Sequence, residues 1–121
     1  MTRNEQPTPA PAEIAHRITD AAQRLGRVLP DAFVSPGDAF AVVLNLQLAA
    51  DELPSVIEKT LAYLLTLEDV GGLRAGPGES LTDALTEVQA GMTDASAAAN
   101  AVYSGLRRAQ AALARLGWVE G

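Results

Sequence analysis

The chain has 121 residues, 48% of them apolar and only 4% aromatic, and carries a net charge of −6 at pH 7. This length supports one domain with a core of Leu, Val, Ile and Ala, and the acidic balance disfavours nucleic acid and anionic lipid as partners. Cysteine is absent, which removes disulfides, thiolate nucleophiles and Cys-based metal sites and fits the cytoplasm, the expected location.

The first ten residues are polar and proline-rich, with Pro7 and Pro9 ahead of Pro11. They have no signal-peptide core and read as a disordered tail, leaving residues 11–121 as a single helical domain. No membrane association is expected. The longest apolar run, residues 39–50, is interrupted by Asn45 and Gln47 and is too short to span a bilayer.

A first helix should begin near Pro11 or Ala12, since proline suits a first turn. Ile14, Ile18, Ala21, Leu25 and Val28 recur in alternating steps of four and three. Pro30 ends the helix, because the residue before a proline is driven out of the helical region. Arg17, Arg24 and Arg27 read as solvated positions or partners of acids one turn away.

Ser35, Pro36 and Asp38 form a second start signal, a capping residue followed by a first-turn proline and an acid. The following helix is apolar on more than one face, with Phe40, Val42, Val43, Leu44, Leu46, Leu48 and Leu53. It is therefore expected at the centre, touched by several neighbours. Pro54 deletes one backbone hydrogen bond, to the carbonyl of Ala50. A kinked continuation is favoured over a break, because no polar loop separates the halves and Leu46, Ala50, Leu53 and Ile57 carry one stripe across the proline.

Residues 70–79 hold Gly71, Gly72, Gly76, Pro77 and Gly78 and read as a turn. They follow a helix and lack the Gly-Lys-Ser/Thr ending of a phosphate loop. Ser80 then caps the last and most regular helix, with Asp83 completing its capping box. Leu81, Leu85, Val88, Met92, Ala95, Ala99, Val102, Leu106, Ala109, Leu113 and Leu116 keep a 4–3 step throughout. Ala84, Gly91, Ala98, Gly105 and Ala112 flank it with small residues that admit a close neighbour. Asp83, Glu87 and Asp94 lie early on the opposite face and Arg107, Arg108 and Arg115 late, the order the helix dipole favours. Gly117 should stop this helix, and Trp118 should fold back on a bundle end.

The predicted fold is therefore an all-α antiparallel bundle of three long helices, the second kinked or split at Pro54 and then countable as four. The second and third helices should form a hairpin. The first, half as long, should lie against residues 36–53. That leaves Ile57, Leu61, Leu64 and Leu65 facing Leu81, Leu85, Val88 and Met92 as a pair of helices too thin to bury its apolar surface. These eight residues are the predicted interface, with a second copy or another helical protein as the partner. A sharp break at Pro54, closing the monomer on itself, is the rival.

Catalytic and metal signals are weak. Glu13 and His16 have the Glu-x-x-His spacing of di-iron bundles, but His16 is the only histidine and such a site needs two. It also lacks the neighbouring lysine and glycine of histidine phosphotransfer domains. Asp51 and Glu52 are adjacent and diverge on a helix, so they do not form an acid–base pair. Asn45, Glu52 and Lys59 share a face, read as a polar stripe leaving the bundle. No Ser-His-Asp or Cys-His set is available, and no cofactor or metal is expected. The chain thus reads as a non-enzymatic, self-associating interaction or scaffold protein, with a ligand-binding or catalytic bundle, its pocket near Pro54, as one alternative. A DNA-binding regulator is disfavoured by charge.

The long hairpin and the alanine content resemble the small WXG-type proteins of specialised secretion systems. Those carry Trp-x-Gly in the turn between two helices. The turn here has no tryptophan, and the only one is Trp118. Membership is not assigned, and a WXG-like secreted hairpin stands as a further alternative.

Overall fold

The structure is a computed structural model describing residues 10–117. The described residues form three helices and no strand: α1 (Pro11–Val28), α2 (Pro36–Asp69) and α3 (Leu81–Leu113). The fold is all-α, with α2 packed against α3, as the periodicity predicts. The chain divides into two units, Met1–Ser35 and Pro36–Gly121, each described by itself. Residues 1–9 of the expected tail, and Trp118, lie outside the described residues.

In the first unit, α1 starts at the proline that the sequence marks and ends before Pro30. Leu29 is extended, at φ −87° and ψ 148°, and its N–H still bonds to the Leu25 carbonyl at 3.1 Å. Asp20 and Arg24 form an exposed i,i+4 pair at 3.8 Å, of little energetic weight in solvent. No residue of α1 is buried.

In the second unit, α2 runs unbroken through Pro54, so the rival that required a break is not realised. At 1.5 Å per residue α2 is roughly 50 Å long. It ends in a Schellman turn: the Gly71 N–H bonds to the Glu68 carbonyl at 3.0 Å and the Gly72 N–H to the Leu67 carbonyl at 2.7 Å. Gly71 sits at φ 74°, the left-handed conformation this turn requires. Ser80 Oγ accepts the Asp83 N–H at 3.2 Å and caps α3. At its far end α3 stops at Leu113, a turn earlier than Gly117 implies. There the Arg115 and Leu116 N–H groups bond three residues back, to Ala112 and Leu113, tightening the last turn beyond α geometry.

The α2–α3 seam is a single antiparallel stripe. On α2 the seam positions are Phe40, Val43, Gln47, Ala50, Pro54, Ile57, Leu61 and Leu64, all buried or half-buried, and Ala39, Val42, Ser55, Leu65, Leu67 and Glu68 beside them are half-buried too. On α3 the seam positions are Leu81, Leu85, Val88, Met92, Ser96, Ala99, Tyr103, Leu106, Gln110 and Leu113. Counted from the middle of the loop, Leu64 stands level with Leu85, Ile57 with Met92, and Ala50 with Ala99. Ala50, Leu85 and Ala99 are the fully buried apolar residues among those described.

Two expectations shift. The stripe crosses the proline through Gln47 and Pro54, leaving Leu46 and Leu53 outward at 46% and 40% exposure. On α3 the line Leu85, Met92, Ala99, Leu106 and Leu113 stays inward as expected, while its companion line moves by one residue after Met92, so Ser96, Tyr103 and Gln110 face inward where Ala95, Val102 and Ala109 were expected. A strict seven-residue repeat drifts about 20° per heptad on a straight helix, and a step of four in place of three resets the phase. The helix expected to have several neighbours has α3 as its partner within this unit, and Ala50 is its one buried residue.

Candidate functional site

The eight residues predicted as an interface lie on or beside this seam. Leu85 is buried, and Ile57, Leu61, Leu64, Leu65, Leu81, Val88 and Met92 are half-buried. The structure brings them together, as facing sides of one hairpin.

A groove of about 280 Å³ runs beside the seam near Pro54, lined by Pro54, Ile57, Glu58, Leu61, Met92, Thr93 and Ser96. Glu58 and Thr93 each directly follow a seam residue. Positions one after the seam on both helices therefore share one face of the hairpin. Those one before it share the other, because antiparallel helices turn in opposite senses about a common seam.

The two faces differ. Beside the groove, α3 presents Thr82, Thr86, Gln89, Thr93, Asn100, Ser104 and Arg107 with Ala97 and Ala111, and α2 presents Asp51, Ser55 and Glu58 beside Ala41, Leu44, Leu48, Ala62 and Leu65. On the other face α2 presents Val42, Leu46, Ala49, Leu53, Val56, Thr60, Tyr63 and Leu67, again in the 4–3 step. There α3 presents the small residues Ala84, Gly91, Ala95, Ala98, Gly105, Ala109 and Ala112, with Val102 among them and Glu87 at their outer edge. The Thr60 hydroxyl donates to the Val56 carbonyl at 2.7 Å, so it too is turned back on its helix. Val56, Tyr63 and Val102 are 55%, 63% and 51% exposed.

The small stripe on α3 was legible in the sequence; the bulky stripe on α2 was not singled out. Its signal is there, offset by one residue from the buried stripe, but a helix apolar all round offers no contrast to separate the two.

The polar candidates resolve individually. Asn45 is exposed, and its Nδ2 donates to the Ala41 carbonyl at 2.8 Å. Gln47 is half-buried, and Oε1 of Gln47 and of Gln110 finds no hydrogen-bond partner among the described residues. Asp51, Glu52 and Lys59 are exposed. Glu13 and His16 are exposed on α1. No group of three His, Cys, Asp or Glu side chains suited to a metal ion occurs among the described residues. By length and composition alone, α2 is long and apolar enough to cross a membrane, a property that residues 39–50 by themselves do not have. Comparison with family models, with curated proteins and with solved structures gives no match.

Proposed function

We propose that this chain is a helix-mediated interaction protein that associates with itself and has no catalytic role of its own. The observation that carries this reading is the mostly exposed apolar face of the hairpin, which runs from Val42 to Leu67 on α2 and from Ala84 to Ala112 on α3, with Val42, Leu67 and Ala112 half-buried and with Thr60 and Glu87 as its polar positions. These stretches are about 40 Å long, and with the helices about 10 Å apart they present on the order of 800 Å². That matches the roughly 800 Å² per partner of a standard stable interface and is larger than the apolar patches monomers ordinarily leave in water.

The test is absolute mass by size exclusion with light scattering over a wide concentration range. A dimer at micromolar concentration is expected, and a monomer at millimolar concentration would end the proposal. Vesicle flotation run beside it separates the lipid alternative: α2 carries Asp51, Glu52, Glu58 and Lys59 at its middle, where a bilayer tolerates charge least.

A second reading, a ligand-binding bundle, draws on the groove at Pro54, where Glu58, Thr93 and Ser96 converge beside apolar walls. Chemical-shift changes confined to these residues in a fragment screen would favour it.

A further inference from the structure

The apolar face is self-complementary. Its α2 side is a ridge of Leu46, Leu53, Val56 and Tyr63; its α3 side is a trough floored by Gly91, Ala95, Ala98 and Gly105. Ridges packing into grooves are what set helix–helix contacts. Here one surface carries both, and a two-fold interface requires a surface that can face itself. A Cβ added at Gly91 or Gly105 meets nothing within 4 Å, so the chain's own packing does not call for glycine at either place.

Resting on the self-association proposed above, we infer that two copies pair with their two-fold axis parallel to the helices, each α2 ridge lying antiparallel in the other copy's α3 trough. Such an axis keeps every residue at its own height. The hairpin register then sets the partners. Leu53 falls between Ala95 and Ala98 of the second copy, Val56 between its Gly91 and Ala95, and Leu46 between its Val102 and Gly105.

Charge agrees with the same arrangement. The outer rim of α2 carries Asp38, Asn45, Glu52 and Lys59 at seven-residue intervals, and the outer rim of α3 carries Glu87, Asp94, Arg108 and Arg115. Within one hairpin these rims are on opposite sides. In the pair they adjoin. Lys59, the chain's one lysine, falls at the height between Glu87 and Asp94 of the second copy, and Asp38 between its Arg108 and Arg115. Glu52 comes nearest Asp94, the one like-charge approach. The other two-fold arrangement, α2 on α2, sets ridge on ridge and trough on trough and removes Lys59 from both acids.

Because the chain has no cysteine, cross-linking has no background. Leu53→Cys and Ala98→Cys chains are mixed and treated with a short bis-maleimide. The expected product is the mixed dimer, with little from either variant alone. Efficient cross-linking of Leu53→Cys to itself, or no mixed product in a sample whose mass is dimeric, would overturn the arrangement while leaving self-association standing. A monomeric mass throughout would remove the reading on which it rests.

Gly91→Leu and Gly105→Leu fill the trough. They should raise the dimer dissociation constant by about tenfold or more, as for overpacking of a close interface, with helicity by circular dichroism retained. Lys59→Glu should raise it by about threefold, the scale of a rim ion pair, and adding Glu87→Lys should recover it. No change in any of these constants would also overturn the arrangement.

Discussion

The two halves of the α2–α3 seam are built differently. Near the loop, Ile57, Leu61 and Leu64 meet Leu85, Val88 and Met92, all apolar and in the register that the sequence repeat implies. Toward the open end the same seam contains Gln47, Ser96, Tyr103 and Gln110, and its buried positions, Ala50 and Ala99, are small. The difference teaches that a seven-residue repeat can hold on one line of a helix while its companion line shifts: Leu85, Met92, Ala99, Leu106 and Leu113 stay in the seam to the end of α3. The companion line steps by four after Met92, which admits Ser96, Tyr103 and Gln110 and excludes Val102. The loop half is thus wholly apolar, whereas the open half sets two small buried alanines and several polar residues among Phe40, Val43, Leu106 and Leu113.

Substitutions at the two halves should separate these packings, each read by urea unfolding at one fixed protein concentration, since association shifts apparent stability. Leu85→Ala should cost about 2–4 kcal/mol, because Leu85 is 7% exposed and truncation leaves a cavity. Ala99→Leu should cost about 1–3 kcal/mol by forcing a larger side chain into a position only 5% exposed. An equal cost for Val102→Leu, one turn away and 51% exposed, would mean that the seam lies where the unshifted repeat puts it. Gln110→Leu should stabilise by roughly 1 kcal/mol, since it removes an oxygen that lacks a hydrogen-bond partner and adds apolar contact. A loss instead would show that the amide has a partner in solution. At the loop end, Ser80→Ala should cost about 1 kcal/mol by orphaning the Asp83 N–H, with the effect vanishing if Ser80→Asp is substituted.

Much of the fold was legible because its signals are local. Pro11 and Pro30 bracket α1, Ser80 with Asp83 starts α3, and Gly71–Gly72 closes α2. Each follows from what one or two residues allow the backbone to do. The unbroken passage through Pro54 was legible from the absence of any polar break around it. The faces were harder. On α2, Leu46 and Gln47, or Leu53 and Pro54, compete for the same seam. Hydrophobicity picks the leucines, whereas the structure turns them outward and half-buries the less apolar neighbour of each pair. That inversion is also why the outward ridge escaped notice. The eight predicted interface residues face one another across the hairpin, as expected, and all but Leu85 keep part of their surface exposed. His16, Asp51 and Glu52 are all exposed.

The central claim is that the apolar face opposite the Pro54 groove is covered by a second copy of the chain. Light scattering on the size-exclusion peak, followed from millimolar to sub-micromolar chain concentration, tests it most directly. The account predicts twice the 12.6 kDa chain mass over most of that range, falling toward a single chain on dilution and at higher concentration for Gly91→Leu. A mass of one chain at every concentration, with Gly91→Leu indistinguishable from the parent, would contradict it.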